Sequence, residues 1–154
     1  MFEWFGRVSF VPHTKVSDFA KHLKDGSIMA STCASCGFTT FPPRADCPQC
    51  RGGEFTYTEI SGEGTILTYT KIEAAPAGFE DDCPFTIGVV ELAMGEGRSG
   101  RLLGWFGDTI CEEEIAMDMP VQVVPRMFEE EVGIKVYYSL EKPGTTWVKS
   151  NSTK

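Results

Sequence analysis

No stretch of this 154-residue chain approaches the roughly 18 uninterrupted apolar residues that a membrane-spanning helix needs. The aromatic-rich opening, Met1 to Val11, carries Glu3 and Arg7 and has no continuous apolar core, so it does not read as an export signal. A cytoplasmic protein is expected. Cations are scarce: 14 Lys and Arg stand against 22 Asp and Glu, giving a net charge of -8 and a pI near 4.8. A chain of that sign is repelled by phosphate backbones unless its cations gather on one face, and Lys71, Arg98, Arg101, Arg126 and Lys135 are instead scattered among the strands. Neither nucleic acid nor a membrane is an expected partner. Histidine is rarer still, with only His13 and His22, both close to the N-terminus and more readily surface or capping residues than ligands. There is no Ser/His/Asp order, and Cys83 and Cys111 lack an evident activating base, so no catalytic constellation is visible. Repeats are missing as well. Disorder is excluded from the other side, because 42% apolar and 12% aromatic content suffices for a core.

What is present begins with a short helical pattern over 16–25. Ser17 suits an N-cap, Phe19 and Leu23 share a face at i,i+4 spacing, and Gly26 provides a stop. Residues 31–55 are loop-like, punctuated by Gly37, Pro42, Pro43, Pro48, Gly52 and Gly53. Beyond them, segments 65–72, 85–93, 101–106, 121–127 and 134–140 are rich in β-branched and aromatic residues and separated by turn signals. Pro125 puts the fourth of these strands at an edge or a bulge. Residues 109–117 suit one or two helical turns capped by Asp108 or Thr109. Five strands with a helical segment after the third fit a closed Greek-key barrel of the OB type. The strand count alone also allows a sandwich.

Four of the six cysteines form two tight pairs, Cys33-x-x-Cys36 and Cys47-x-x-Cys50, with ten residues between the pairs. A Cys-x-x-Cys turn points two sulfurs at one centre, and Gly37 lets the first turn fold back with its amides toward the thiolates. Two such knuckles complete a tetrahedral four-sulfur shell with no open position for substrate, the pattern of a structural zinc site. In a lobe too small for its own core, binding energy is folding energy. Iron is the other ion such a shell accepts; Arg51, where a rubredoxin-like electron carrier favours Gly, tips the reading to zinc. Two redox-type pairs are disfavoured because neither opens a helix. Cys83 and Cys111, distant from the pairs and from each other, read as free thiols of a reducing compartment.

The run Cys33-Ala-Ser-Cys36-Gly37-Phe38-Thr39-Thr40-Phe41-Pro42-Pro43-Arg44-Ala45-Asp46-Cys47-Pro48-Gln49-Cys50 resembles the signature of the acyl-CoA-associated zinc-ribbon/OB-fold proteins, long catalogued as a domain of unknown function. Weaker likenesses follow in the same order: Ile60–Ile66, Ala74–Phe79, Cys83–Leu92 and Met119–Val123. Together they span residues 16 to about 126. The resemblance implies a non-catalytic accessory subunit of a thiolase-superfamily acyl-CoA complex, a hetero-oligomer in which such proteins help hold the CoA thioester. A small acidic member with an aromatic N-terminal arm is similar to accessory subunits of thiolases in aromatic-compound degradation. The expected architecture is mainly β: an arm and short helix over 1–30, a rubredoxin-like zinc ribbon over 31–60, a five-stranded OB-fold barrel over 61–142 and a tail over 143–154.

Other residues carry two readings each. Phe41-Pro42-Pro43-Arg44 stiffens the loop between knuckles, with Phe41 packed beneath and Arg44 offsetting the anionic cluster. Arg44 is also the candidate for pairing with a CoA phosphate or a partner carboxylate. Cys83 follows Glu80-Asp81-Asp82, which disfavours a thiolate, and reads as a small apolar residue at a strand entrance. Gly62-Glu63-Gly64 precedes a strand rather than a helix, which removes a phosphate-loop reading and suggests a hinge between lobes. The arm of Phe2, Trp4, Phe5 and Phe10 covers either the protein's own barrel or another subunit. Glu112-Glu113-Glu114 and Glu129-Glu130-Glu131 read as solvated faces. Two functions from other classes compete with the accessory subunit: single-stranded nucleic-acid binding, which needs a cationic aromatic groove, and electron transfer with iron at the four cysteines.

Overall fold

Phe19, Ala20 and Leu23 line one side of the α-helix α1 (Ser17–Lys24), and all three are buried. In this computed structural model the described residues are 16–74, 82–95, 97–130 and 133–146, with the side chains of 128–130 and 133–135 outside that description. The aromatic arm, His13, residues 75–79, the side chains of Glu129–Glu131 and Lys135, and the tail from residue 147 onward therefore lie outside it. Val16, not Ser17, holds the cap position, and no side-chain cap bond forms. The Val16 carbonyl takes the Phe19 amide at 3.1 Å, so the first turn starts one residue earlier than expected and Ser17 is already helical. The C-terminus follows the sequence reading. Gly26 adopts φ +88°. Its amide reaches Leu23 O at 3.0 Å and that of Ser27 reaches His22 O at 2.9 Å, the paired bonds of a Schellman stop.

A small antiparallel sheet follows, which the residue pattern did not announce. Its strands are β1 (Met29–Cys33), β2 (Thr39–Thr40) and β3 (Phe55–Glu59), in the order β2-β1-β3. The remaining strands are β4 (Glu63–Ile72), β5 (Phe85–Ala93), β6 (Ser99–Phe106), β7 (Pro120–Glu130) and β8 (Gly133–Glu141). They close into a barrel in the order β4-β5-β6-β8-β7, with β6 and β8 parallel and every other pair antiparallel. This is the five-stranded OB barrel rather than a sandwich. β7 pairs with β8 from Gln122 to Glu130 but with β4 only from Pro120 to Gln122. Pro125, which has no amide to donate, lies where β7 has lost its second neighbour, as the edge expectation required.

Glycines let the barrel close tightly. A Cβ on Gly64 would stand 2.5 Å from Val90 Cγ1, one on Gly88 2.9 Å from Phe106, and one on Gly104 2.9 Å from Leu140. Ile66, Val90, Leu92, Leu102, Val121, Val123 and Leu140 fill the interior. Gly62 is buried at φ +76°, its carbonyl takes the Val123 amide at 2.8 Å, and a Cβ would meet Val123 O at 2.8 Å. The segment expected as a hinge is therefore a close-packed junction where the barrel shuts.

The β6–β7 connection holds a single 3-10 turn, Glu112–Glu114, shorter than the turns expected over 109–117. Ile110 and Ile115 are buried on either side of it and leave length for no more. Cys111, rather than Asp108 or Thr109, sits at its N-cap. Lys71 pairs with Glu112 at 2.6 Å and Lys142 with Glu114 at 2.8 Å, both exposed pairs. Thr109 instead serves a buried carboxylate. Glu141 is fully buried and accepts from Thr109 N (3.1 Å), Thr109 Oγ1 (2.5 Å), Ser139 Oγ (2.6 Å) and the Arg126 guanidinium. Burial pushes the Glu141 carboxyl up, but the bonds from Ser139, Thr109 and Arg126 outweigh it and hold the group below its ordinary value. Arg126, expected as one of several scattered cations, is thus a committed core partner. Among the described residues no helix is long and apolar enough to cross a membrane.

Candidate metal centre

The two knuckles have matching backbone geometry. In the first, Cys33 N donates to Phe38 O at 2.9 Å and Gly37 N to Cys33 O at 2.9 Å. In the second, Cys47 N donates to Gly52 O at 2.8 Å and Arg51 N to Cys47 O at 2.9 Å. Gly37 (φ +72°) and Arg51 (φ +62°) occupy equivalent left-handed positions, a conformation that costs a non-glycine residue about 1–2 kcal/mol. Arg51 therefore sits in a glycine's place, held there by its knuckle. The ends of the lobe are tied by β1–β3 pairing, in which Cys33 lies opposite Phe55.

This folding brings Cys33, Cys36, Cys47 and Cys50 together, with all four sulfurs within 4.8 Å of one another. Cys33 and Cys50 are 3.6 Å apart, and Cys36 and Cys47 also 3.6 Å. A tetrahedron with metal–sulfur bonds of about 2.3 Å has an edge of about 3.8 Å, so the cage has the size of a Zn(Cys)4 shell. Cys33 and Cys47 are buried and Cys36 and Cys50 exposed, which sets the cage at the lobe's margin with two sulfurs toward the interior. The Gly52 amide points at Cys50 Sγ from 3.4 Å. The spacing of the sulfurs excludes two separate redox pairs.

The thiols do not ionise alike. At Cys33, burial pushes the pKa up, yet bonds from the Cys36 and Ser35 backbone and from the sulfurs of Cys50 and Cys36 bring it down to about 6. Cys47 is lowered in the same manner, with burial again opposed by backbone amides, here those of Cys50 and Gln49. At Cys36 the Phe38 amide lowers the pKa, but burial and three neighbouring sulfurs drive it to about 12. Like charges in one cage cannot all form without compensation, and a divalent cation supplies it. With such an ion bound, four thiol protons would have left and two positive charges arrived, taking the formal charge from -8 to -10. The donor set, its spacing and its closed geometry fit a structural ion with no vacant position.

Phe41 joins this lobe to the rest. It is buried, packs edge-on against Phe19 of α1 with centroids 5.9 Å apart, and its Cβ lies 3.1 Å from where Gly100 would carry one. From the barrel side, Arg98 donates to Thr39 Oγ1 at 2.7 Å, and Thr39 contacts Thr32 Oγ1 at 3.0 Å. Arg44 is exposed on the loop between knuckles. His22 lies away from the sulfurs, its ring 5.0 Å from that of Tyr57. Cys83 is half-buried at the entrance of β5 and donates to Ile72 O at 3.3 Å. Sequence reasoning missed the Arg126–Glu141 cluster, whose members are 15 residues apart and look like ordinary strand charges.

Comparison with known proteins agrees with both lobes. Residues 20–56 match the rubredoxin-like zinc ribbon domain of ChsH2, and residues 57–126 its C-terminal OB-fold domain. A DUF35 domain-containing scaffold protein of Methanocaldococcus jannaschii is 32% identical over 114 residues, covering 72% of this chain and 77% of that one. The benzoylsuccinyl-CoA thiolase subunit BbsA of Thauera aromatica is 27% identical over 85 residues, or 55% of this chain and 58% of its own. The solved Ltp2-ChsH2(DUF35) aldolase shares the fold, with a TM-score of 0.59 at 24% identity over 80% of this chain and 92% of that one. With both of its lobes matched and a scaffold relative aligned over most of its length, this chain belongs to the DUF35 family of scaffold proteins, a ChsH2-type zinc ribbon joined to an OB-fold.

Proposed function

We propose that this protein is a non-catalytic accessory subunit of a thiolase-superfamily acyl-CoA complex, working in a reducing cytoplasm with one structural zinc at Cys33, Cys36, Cys47 and Cys50. Its likeness both to scaffold proteins and to a thiolase subunit carries the reading. A closed sulfur shell is consistent with it, since a four-thiolate ion has no position for substrate and acts by fixing the ribbon against the barrel. The partner supplies the chemistry. Arg44, exposed on the ribbon, is the residue proposed to meet a CoA phosphate or a partner carboxylate at the junction of the two subunits. The similarity to BbsA suggests aromatic acyl groups as one substrate class for the complex. Single-stranded nucleic-acid binding is less well supported: of the barrel cations it would need, Lys71, Arg101 and Arg126 are each paired with a carboxylate and Arg98 is bonded to Thr39.

Affinity purification of the full-length chain from its native cell, followed by assay of what accompanies it, tests this reading. A thiolase-superfamily subunit should co-purify, and acyl-CoA cleavage or transfer should need both proteins. An isolated enzyme subunit that is fully active alone would remove the accessory role.

A further inference from the structure

Gly144, Thr145 and Thr146, the last of the described residues, form one wall of a cleft of about 540 Å3. Its other walls are the turn after α1, the link between β3 and β4, and β7. Two backbone amides lay the segment there. Thr145 N donates to Lys142 O at 3.1 Å, closing a turn after β8, and Gly144 N donates to Gln122 Oε1 of β7 at 2.9 Å. Ile28, Ile60 and Val124 give the lining its apolar part. Glu59 is the one charged residue among the described residues that line the cleft, and it is exposed.

The sequence continues with Trp147, Val148 and Lys149, and from Ser150 onward it is polar throughout. An extended residue spans at most about 3.6 Å, so the backbone of Trp147 and Val148 stays within about 7 Å of Thr146. Two apolar side chains are thus tethered beside an apolar recess, and Lys149 has the sign that Glu59 attracts. Other occupants fit less well. A small molecule needs convergent polar groups to fix it, but Gln122 Oε1 already accepts the Gly144 amide and Glu59 stands in solvent. A second copy or another protein would compete with a segment fastened to the wall itself, whose effective concentration is on the order of millimolar or above. We propose that this cleft seats the protein's own C-terminal segment, with Trp147 and Val148 packed on Ile28, Ile60 and Val124. Seated there, the segment clasps β7 to the β3–β4 link, where ribbon meets barrel.

The experiment takes the full-length zinc-loaded chain with labelled methyl groups and records nuclear Overhauser contacts, using Trp147→Phe to identify the indole signals. The Trp147 ring should contact the methyls of Ile28, Ile60 and Val124 within a single chain. A chain cut after Thr146 should keep its zinc and lose about 3 °C or more of Tm, as removal of a partly buried indole requires. The contacts in the parent decide the matter if the cut chain folds poorly. An indole without those contacts in the folded parent overturns the proposal, and so does an unchanged Tm in the cut chain. The competing occupants overturn it too. A second copy shows as contacts that cross between differently labelled chains in a mixed sample. Another protein shows as Ile60 and Val124 methyls that respond to the co-purifying enzyme subunit while the indole touches neither.

Discussion

Glu141→Gln removes one charge and almost no volume, yet it should be among the most costly substitutions in this protein. The carboxylate accepts from four donors on three elements, two at each oxygen: Ser139 Oγ and Arg126 at Oε1, and the Thr109 amide and hydroxyl at Oε2. An amide offers one accepting oxygen. If that oxygen stays toward Arg126 and Ser139, the NH2 group faces the Thr109 amide donor to donor, and if it turns, the guanidinium meets the NH2 group. Nor is there slack to relax into, since a Cβ on Gly107 would already stand 1.7 Å from Oε1. Arg126, only 13% exposed, is left without its counter-ion. Breaking a buried pair from one side typically costs about 3–5 kcal/mol, a large part of the roughly 5–15 kcal/mol that holds a domain together. Guanidinium unfolding of the zinc-loaded chain at pH 7, followed by circular dichroism, reads the loss as a lower midpoint at constant slope. Acid provides the control. Glu141 lies below its ordinary 4.5 in the folded chain, so the unfolded chain takes up the proton first as pH falls. Its stabilisation is complete above about pH 4.5 and is lost as pH drops through the depressed folded value, and the variant should lack that decline. The double variant Arg126→Met/Glu141→Leu should recover much of the loss, as apolar replacements of buried pairs often do. A Glu141→Gln chain within about 1 kcal/mol of the parent would refute the cluster's assigned weight.

Two other outcomes follow from the ribbon. Cys47→Ser should abolish stoichiometric zinc and unfold β1–β3 while leaving most barrel amides protected; metal analysis paired with hydrogen exchange checks both, and a zinc-loaded Cys47→Ser ribbon would contradict the four-thiolate site. Phe41→Ala should cost about 3–5 kcal/mol by emptying the space between Phe19 and Gly100, seen as early exchange of α1 and the ribbon in denaturant.

The barrel was readable because its strands announce themselves by residue type. Thr65–Ile72 and Phe85–Ala93 carry β-branched and aromatic residues at most positions, and the structure extends the first by only two residues. β1, Met29–Cys33, offered no such cue, and β3 carries it over only the four residues Phe55–Thr58, inside a segment dominated by its cysteines, prolines and glycines. The two pair because the knuckles return the chain to its starting point, a tertiary cause invisible in a local window. The sulfur cage was legible for the opposite reason, since its spacing is set by the ion. Ser17 misled because a good capping residue next to a helix is only a local preference, and packing of Phe19 and Ala20 moved the start. The Arg126–Glu141 cluster left no trace in the sequence, because its four donors converge from residues 109, 126 and 139 only once the barrel has closed.

The glycines that bring strands of the barrel together carry a consequence for ligands. With Leu140 pressed against Gly88 and Gly104, and Val90 against Gly64, the bore is plugged by the protein's own side chains along its length. It cannot serve as a sleeve for an acyl tail in the way a wider barrel does. A ligand of this chain would have to be met on the exterior wall, where a second molecule can share its recognition.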